Sequence, residues 1–178
     1  MSIQSNGIVD LPDLAGEWKL DGAHSTIIFR STSLWGLLKV KGKFTSMRGD
    51  GRVETDGTVR GNIQIDASSL ATGNVKRDTH LRSEDFFDVT RYPSIVFDLE
   101  RIRPSSHGLH VGGTLSILGK SQPVELDVEL VDRDATGLTI RSQHTLDRSR
   151  WGIDFKKNGM TKMATGLEFS LRFLKTEE

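Results

Sequence analysis

The chain has 178 residues and contains no cysteine, which excludes disulfides, thiolate catalysis and cysteine-based zinc sites. Its 24 basic and 24 acidic residues give a formal net charge of zero, so the chain as a whole is not drawn to nucleic acid or to anionic membranes. The length predicts one domain, and a hydrophobic content of 35% is typical of a small fold with much surface.

The first residues are polar, contain glycine and proline, and show no periodicity. We therefore expect a flexible N-terminal leader over residues 1–14 and a single domain over residues 15–178. The leader lacks the basic segment and apolar core of a secretory signal, and no run approaches the roughly 18 apolar residues of a membrane helix. These features predict a soluble, cytoplasmic protein.

From Gly16 onward, apolar and polar residues alternate, which predicts strands with one buried and one solvated face. After the first strand, the alternation recurs over residues 38–44, 59–66, 95–100, 109–117, 124–131, 138–146 and 167–174. Glycine-rich turns separate the segments, which predicts an antiparallel order. Such a sheet must pack on a second sheet or close on itself, and closure also removes exposed edges. We predict an all-β fold, a closed up-and-down barrel of about eight strands.

The predicted inner face is apolar at most positions but includes Gly42, Gly61, Gly113 and Ser142. Small inward residues leave volume for an apolar guest. Glycines also serve the bends that barrel closure needs. The pattern leaves both interpretations open.

Few residue patterns indicate metal binding or catalysis. His107 and His110 form a lone H-x-x-H in a predicted turn, whereas a metal needs three or four converging ligands, so we expect no metal and no cofactor. His24 and Ser25 are adjacent on a strand and face opposite sides, which excludes joint action at one substrate. The usual hydrolase and nucleotide-binding motifs are absent.

Residues 77–93, RDTHLRSEDFFDVTRYP, interrupt the strand pattern with a dense group of charges. Asn74 is a suitable N-cap for a helix over residues 75–82, and Asp78 and Arg82 have the spacing of a helical ion pair. Phe86 and Phe87 supply an apolar side. We predict a short helical insert that lies across the barrel.

The same segment supports an alternative function, that of an enzyme acting on a hydrophobic substrate at the barrel mouth. Arg77, Asp78 and His80 are candidates for acid, base or anion clamp. A helix spreads these three residues around its axis, which argues against one convergent site.

Six segments, taken in chain order, resemble the YceI-like family. They are WKLDGAHSTIIF (18–29), VKGKF (40–44), SSLATGN (68–74), RDTHLRSEDFFD (77–88), YPSIVF (92–97) and GGTLSILG (112–119). The first resembles the family's W-x-x-D-x-x-H-S-x-I-x-F, and the fourth its R-D-x-H-L-x-S-x-D-F-F-D. The match runs from about residue 18 to residue 119.

The resemblance implies a lipocalin-like barrel that binds a long apolar lipid, a polyisoprenoid or an isoprenoid quinone, in an internal tunnel as a carrier or storage protein. It implies no catalytic residue. Together with the apolar inner face, the predicted mouth and the helical insert, it predicts these ligand-binding residues: Ile27, Phe29, Trp35, Leu38, Val40, Ile63, Leu81, Phe86, Phe97, Leu115, Leu126, Ile140 and Phe169.

Two questions stay open at this point. Arg77, His80 or Arg82 could meet the polar head of a ligand, and the sequence does not choose among them. Homodimerisation is also open, although the outward faces carry few large apolar residues apart from Ile28, Val96 and Leu174.

Overall fold

The computed structural model describes residues 10–33, 38–153 and 164–176. Within these residues the chain forms ten β-strands, one α-helix and three short 3-10 helices. The strands are β1 (Gly16–Ser33), β2 (Leu38–Phe44), β3 (Met47–Val53), β4 (Val59–Asp66), β5 (Leu70–Ala71), β6 (Ser94–Ser105), β7 (Gly108–Ile117), β8 (Lys120–Arg133), β9 (Gly137–Asp147) and β10 (Ala164–Thr176). The helix α1 spans Val75–Arg82, and the 3-10 helices span Leu11–Leu14, Ala67–Ser69 and Arg148–Trp151. In this part of the chain, no helix is long and apolar enough to cross a membrane.

Eight of the ten strands close into an antiparallel barrel, which confirms the predicted architecture. Neighbours in the ring follow the order β1, β3, β4, β6, β7, β8, β9 and β10, and β10 pairs with β1 to complete it. The long β1 pairs with β3 through its first residues and with β2 through its last residues. The short β5 pairs with β2, so these two strands extend one wall beyond the ring.

The alternation in the sequence becomes the inside and outside of the barrel. Along β8, Val124, Leu126 and Val128 are buried, whereas Glu125 and Glu129 are exposed. The buried side chains of the ring strands form one core cluster. Closure therefore places the apolar face of every strand away from water.

The pairing of β1 with β10 shifts register between Asp21 and Thr26, and two polar residues of β1, His24 and Ser25, lie in this stretch. Ser25 is buried, and its hydroxyl donates to the Asp21 carbonyl (2.7 Å) and accepts from the Arg172 N–H (3.0 Å). His24 is exposed, with Nδ1 2.8 Å from the Asp21 carboxylate. The structure confirms that His24 and Ser25 face opposite sides, as the sequence predicts.

The lower end of the barrel, where β1 begins, is covered by the 3-10 helix Leu11–Leu14. Leu14 is only 3% exposed, and its carbonyl accepts the indole N–H of the buried Trp18 at 2.8 Å. The expected leader spans residues 1–14, but residues 11–14 fold onto the barrel because Leu14 and Trp18 cover its apolar interior. Residues 1–9 lie outside the described part of the chain.

The upper end, where β1 ends, carries the helical insert between β4 and β6. The Asn74 side chain accepts the N–H of Arg77 at 3.0 Å, which confirms the predicted N-cap. Phe86 and Phe87 are half-buried against the core. The ring of Phe87 meets that of Phe44 edge-on, with centroids 6.1 Å apart. The two phenylalanines therefore anchor the insert, as expected.

The predicted ion pair between Asp78 and Arg82 is wrong. The buried Asp78 carboxylate instead accepts the Thr72 N–H (2.9 Å) and the Thr72 hydroxyl, and Arg82 donates to the Leu70 carbonyl. Burial next to unpaired backbone groups explains the difference, because hydrogen bonds from a charged side chain satisfy those groups. Both charges fasten α1 to the segment just before it.

We expect Asp78→Ala to destabilise the protein by about 1.5–3 kcal/mol, because it removes a charged acceptor and leaves buried donors of Thr72 unsatisfied. The measurement is the free energy of unfolding in urea. Asp85→Ala is the control, since the exposed Asp85 carboxylate meets the exposed His80 at 3.1 Å and its loss should cost less than about 1 kcal/mol. Equal losses for the two variants would contradict the role of Asp78.

Candidate functional site

The barrel encloses a cavity of about 240 Å³. All eight strands of the ring contribute to its wall, which is hydrocarbon over almost its whole area. An apolar cavity of about 150 Å³ is already known to stay dry and to bind benzene. The interior is therefore suited to an apolar guest and unsuited to a charged one.

Seven of the predicted ligand-binding residues lie on this wall, and each comes from a different strand of the ring. They are Ile27, Ile63, Phe97, Leu115, Leu126, Ile140 and Phe169. Closure brings them together because each occupies the inward position of its strand.

The other predicted residues lie elsewhere. Phe29, Leu81 and Phe86 are half-buried and pack on the core at the upper end, outside the cavity wall. Val40 is half-buried on β2 and is also outside the wall. Trp35, and the side chain of Leu38, are outside the described part of the structure.

Part of the cavity wall on β6 does not follow from the alternation in the sequence. Leu99 and Ile102 both line the cavity although they are three positions apart, which strict alternation does not allow. The ladder with β7 shifts register between Leu99 and Arg101, and this bulge turns Ile102 inward. The one sign of this in the sequence is that Ile102 stands between two arginines, Arg101 and Arg103.

The inward glycines mainly allow neighbouring side-chain rings and backbone to approach the strand closely. A Cβ at Gly42 would collide with the ring of Phe29, and one at Gly113 would lie 2.7 Å from Cζ of Phe97. A Cβ at Gly61 would lie 2.7 Å from the Asp50 carbonyl oxygen. Neighbouring rings and backbone thus occupy the space that these glycines leave, and the void forms between the apolar side chains of the ring.

The 3-10 helix Arg148–Trp151 follows β9 at the upper end of the barrel and contacts the start of β8. Trp151 is fully buried, and its indole N–H donates to the Leu115 carbonyl at 2.8 Å. The Gln122 amide donates to the Arg150 carbonyl at 3.2 Å. A buried tryptophan and a 3-10 helix therefore lie at each end of the barrel, and Trp18 also lines the cavity.

Among the described strands of the ring, β8 and β9 are paired over only part of their length, as are β1 and β3. The β8–β9 ladder runs from Arg133 and Leu138 only to Glu129 and Arg141. Above that point, residues 120–128 pair with β7, and among the described residues they form no ladder with β9. Pro123, which cannot donate to a ladder, lies in this stretch, as expected for an edge. The Ser142 hydroxyl joins β8 and β9 above this ladder by donating to the Asp127 carbonyl at 2.6 Å.

The charged residues of the insert face other protein groups. Arg77 donates to the Thr72 hydroxyl (2.8 Å) and carbonyl (3.0 Å), and Arg82 donates to a carbonyl of β5. His80 is exposed, with Nε2 3.1 Å from the Asp85 carboxylate. The Thr72 hydroxyl contacts both Arg77 and Asp78, whereas His80 has a different partner, so the structure does not bring all three residues together at one point.

A polar network lies on the outer face of β7 and β8. Nδ1 of His110 is 2.8 Å from the Asp127 carboxylate, and its Nε2 is 3.1 Å from the Glu125 carboxylate, which also pairs with Arg101. The hydrogen bond to Asp127, with help from the charges of both carboxylates, raises the pKa of His110 above its ordinary value. Within the described residues, no group of three or more acidic, histidine or cysteine side chains could hold a metal ion.

The fold and the cavity define a class, a closed antiparallel β-barrel built around an enclosed apolar site. The sequence profile of the YceI-like domain matches residues 18–173, and the chain belongs to the YceI-like family. Protein YceI of Shigella flexneri is 30% identical over 122 residues, which is 66% of this chain but only 63% of that protein. The alignment therefore covers less than two-thirds of the relative.

Solved structures share the fold. BcnA of Burkholderia cenocepacia superposes with a TM-score of 0.76 and 20% identity, over 86% of this chain and 98% of that one. A polyisoprenoid-binding domain of Saccharophagus degradans, implicated in plant cell wall breakdown, gives a TM-score of 0.72 and 14% identity, over 89% and 98% of the two chains. At these identities the likeness establishes the barrel alone.

We expect the imidazole of His110 to titrate above pH 6.5 in proton NMR, and Asp127→Asn to lower the midpoint. A raised pKa in the folded state means that protonated His110 stabilises the fold. That contribution is full below about pH 6.5 and is lost as the pH rises through the folded pKa. Glu129→Gln, on the same strand face, is the control and should leave the midpoint unchanged. A wild-type midpoint at or below 6.5 would refute the assignment.

Proposed function

We propose that the protein binds a long apolar lipid inside the barrel, a polyisoprenoid or an isoprenoid quinone, and acts as a carrier or storage protein. The observation that carries the proposal is the enclosed cavity of about 240 Å³ with its hydrocarbon wall. Membership of the YceI-like family and the fold shared with a polyisoprenoid-binding domain support the same ligand class.

The chemistry of the wall limits which part of a lipid can enter. Burial of each methylene group contributes about 0.8 kcal/mol, whereas an unpaired polar group costs energy in such surroundings. The apolar chain therefore lies inside and a polar head stays at an end of the barrel. We propose Ile27, Ile63 and Phe97, with the other four predicted wall residues, as chain contacts.

The volume of the cavity also indicates how much of a chain fits. The space exceeds the cavity of about 150 Å³ that binds benzene, so an apolar segment of at least that size fits. A chain enters most easily where the wall can open. Above Glu129, β8 and β9 are held by side-chain contacts, which yield more readily than a continuous ladder.

Binding is preferred over catalysis because the reactive groups of the insert have other tasks. Asp78 and Arg77 are both bound to Thr72, so neither is available as a base or an anion clamp. An enzyme at the barrel mouth would need a convergent set of groups near the substrate. The hydrocarbon interior offers no such set.

The first experiment is mass spectrometry of lipid extracted under mild conditions from protein purified from its native cells. We expect an isoprenoid at a stoichiometry approaching one per chain. The purified, delipidated protein should also take up an isoprenoid quinone and the fluorescent apolar probe N-phenylnaphthylamine. Protein that carries no lipid and takes up neither compound would refute the proposal.

We expect Ile63→Trp to weaken uptake of the probe about tenfold or more, because the indole occupies space in the cavity. The measurement is a fluorescence titration, together with the free energy of unfolding to show that the variant is folded. Val96→Trp is the matched control, since Val96 lies on the outer face of the next strand, opposite Gln64. Unchanged uptake by folded Ile63→Trp would show that the probe binds elsewhere.

A further inference from the structure

His144 is a polar residue on the inward face of β9, in the upper half of the barrel. It alternates with the exposed Gln143 and Thr145, so its side chain lies on the same face as that of Leu146. The ladder with β10 places His144 opposite Leu167, and both leucines line the cavity. The imidazole therefore stands beside the apolar wall without being part of it.

Within the described residues, the imidazole of His144 forms no hydrogen bond and no ion pair, although it is half-buried. Polar atoms shielded from water usually have a partner, because an unpaired one costs free energy. The other four histidines each lie within hydrogen-bonding distance of a side chain: they are His24, His80, His107 and His110. His144 is the exception, which points to a partner that the described part of the chain does not supply.

The wall next to His144 lacks backbone pairing on the side of β8. Two side-chain contacts join β8 and β9 there. The Ser142 hydroxyl donates to the Asp127 carbonyl at 2.6 Å, and the Arg150 guanidinium, further up, donates to the Pro123 carbonyl at 3.0 Å. Between these contacts the two strands form no ladder. We call this stretch the window; it comprises residues 123–127 of β8 and residues 142–147 of β9.

The main chain of β8 also directs polar groups into the window. In a strand, the N–H and C=O of one residue point to the same side, and the side alternates from residue to residue. The carbonyls of Pro123 and Asp127 point towards β9, as their contacts show, so the main-chain groups of Glu125 between them do so as well. No ladder with β9 pairs these groups. The window therefore offers two N–H donors, from His144 and Glu125, beside an apolar cavity.

The inward side of the window carries little charge. Its side chains are apolar apart from Ser142 and His144. The two arginines that follow β9 are directed elsewhere, because Arg150 donates to a carbonyl of β8 and Arg148 donates to the Ser31 hydroxyl of β1 at 3.1 Å. Proteins hold phosphate groups chiefly with arginine and lysine. The window is therefore suited to an uncharged oxygen acceptor.

We propose that the window holds the polar head of the bound lipid, with the imidazole N–H of His144 donating to an uncharged oxygen such as a quinone carbonyl. The proposal rests on the lipid-binding function and adds the place and the chemistry of the head group. A head in the window finds donors there, while its apolar chain stays buried in the cavity. The window lies at the upper end of the barrel, where β8 begins and β9 ends.

Competition with N-phenylnaphthylamine separates the head of a ligand from its chain. The competitors are a short-chain isoprenoid quinone and an isoprenoid hydrocarbon without oxygen, each added to delipidated protein. We expect His144→Leu to weaken the quinone about three- to tenfold, for one lost hydrogen bond, and to change the hydrocarbon by less than about twofold. His144→Gln, which keeps an N–H donor, should retain part of the quinone affinity. Farnesyl phosphate should compete more weakly than the quinone.

His107→Leu is the matched control, since it makes the same substitution in the exposed turn between β6 and β7. It should bind both competitors as the wild type does. Equal losses of quinone and hydrocarbon affinity in His144→Leu would overturn the proposal, because the change would then act on the cavity alone. Undiminished quinone binding by His144→Leu, or tighter binding of farnesyl phosphate than of the quinone, would overturn it as well.

Infrared spectroscopy of the bound quinone tests the contact in the wild-type protein itself. A hydrogen bond from His144 should lower the stretching frequency of one quinone carbonyl, and His144→Leu should reduce that shift. If the bound quinone shows no shift, the head site is wrong, whereas the cavity function stands because the quinone and the probe still bind. If the probe, the quinone and the hydrocarbon all fail to bind, the cavity function is refuted and the head site with it.

Discussion

Closure of the sheet is the constraint on which the rest of the structure depends. A closed ring satisfies the backbone of its strands and leaves every inward side chain without water, so the interior must be apolar or contain paired polar groups. The ring closes because β1 is long enough to pair with β10 along most of its length while changing partners from β3 to β2 on its other edge. The register shift at Asp21 and Thr26 falls between these two regions, where Ser25 satisfies backbone groups of both strands.

In parts of the barrel, side-chain contacts hold neighbouring segments together in place of backbone hydrogen bonds between strands. Leu14 and Trp18 cover one end of the cavity, Trp151 is held at the upper end of the barrel by the Leu115 carbonyl, and the Ser142 hydroxyl joins β8 and β9 above their ladder. Contacts of this kind are local, and each can open without unpairing a whole strand. The helical insert lies at the upper end of the barrel, fastened by Asp78 and Arg82.

Local sequence rules predict some features of the helical insert and of β6 and fail for others. The helix over residues 75–82, its cap at Asn74 and its anchors Phe86 and Phe87 follow from local rules, and the structure confirms them. The partner of Asp78 was predicted wrongly, because helical spacing considers only neighbours on the helix, whereas burial beside Thr72 decides the contact. Ile102 was missed because a β-bulge changes the period of β6, and the pairing that produces the bulge is not visible along one strand.

The sequence by itself determined which face of each strand is apolar, where the strands turn and that the sheet must bury one face, since alternation and turn chemistry are local properties of the chain. Only the tertiary structure decided that Phe29 and Phe97 occupy the space beside Gly42 and Gly113, and that a cavity nonetheless remains between the strands. It also decided that the β8–β9 ladder stops at Glu129. Packing and register depend on residues far apart in the chain, so no pattern along one segment contains them.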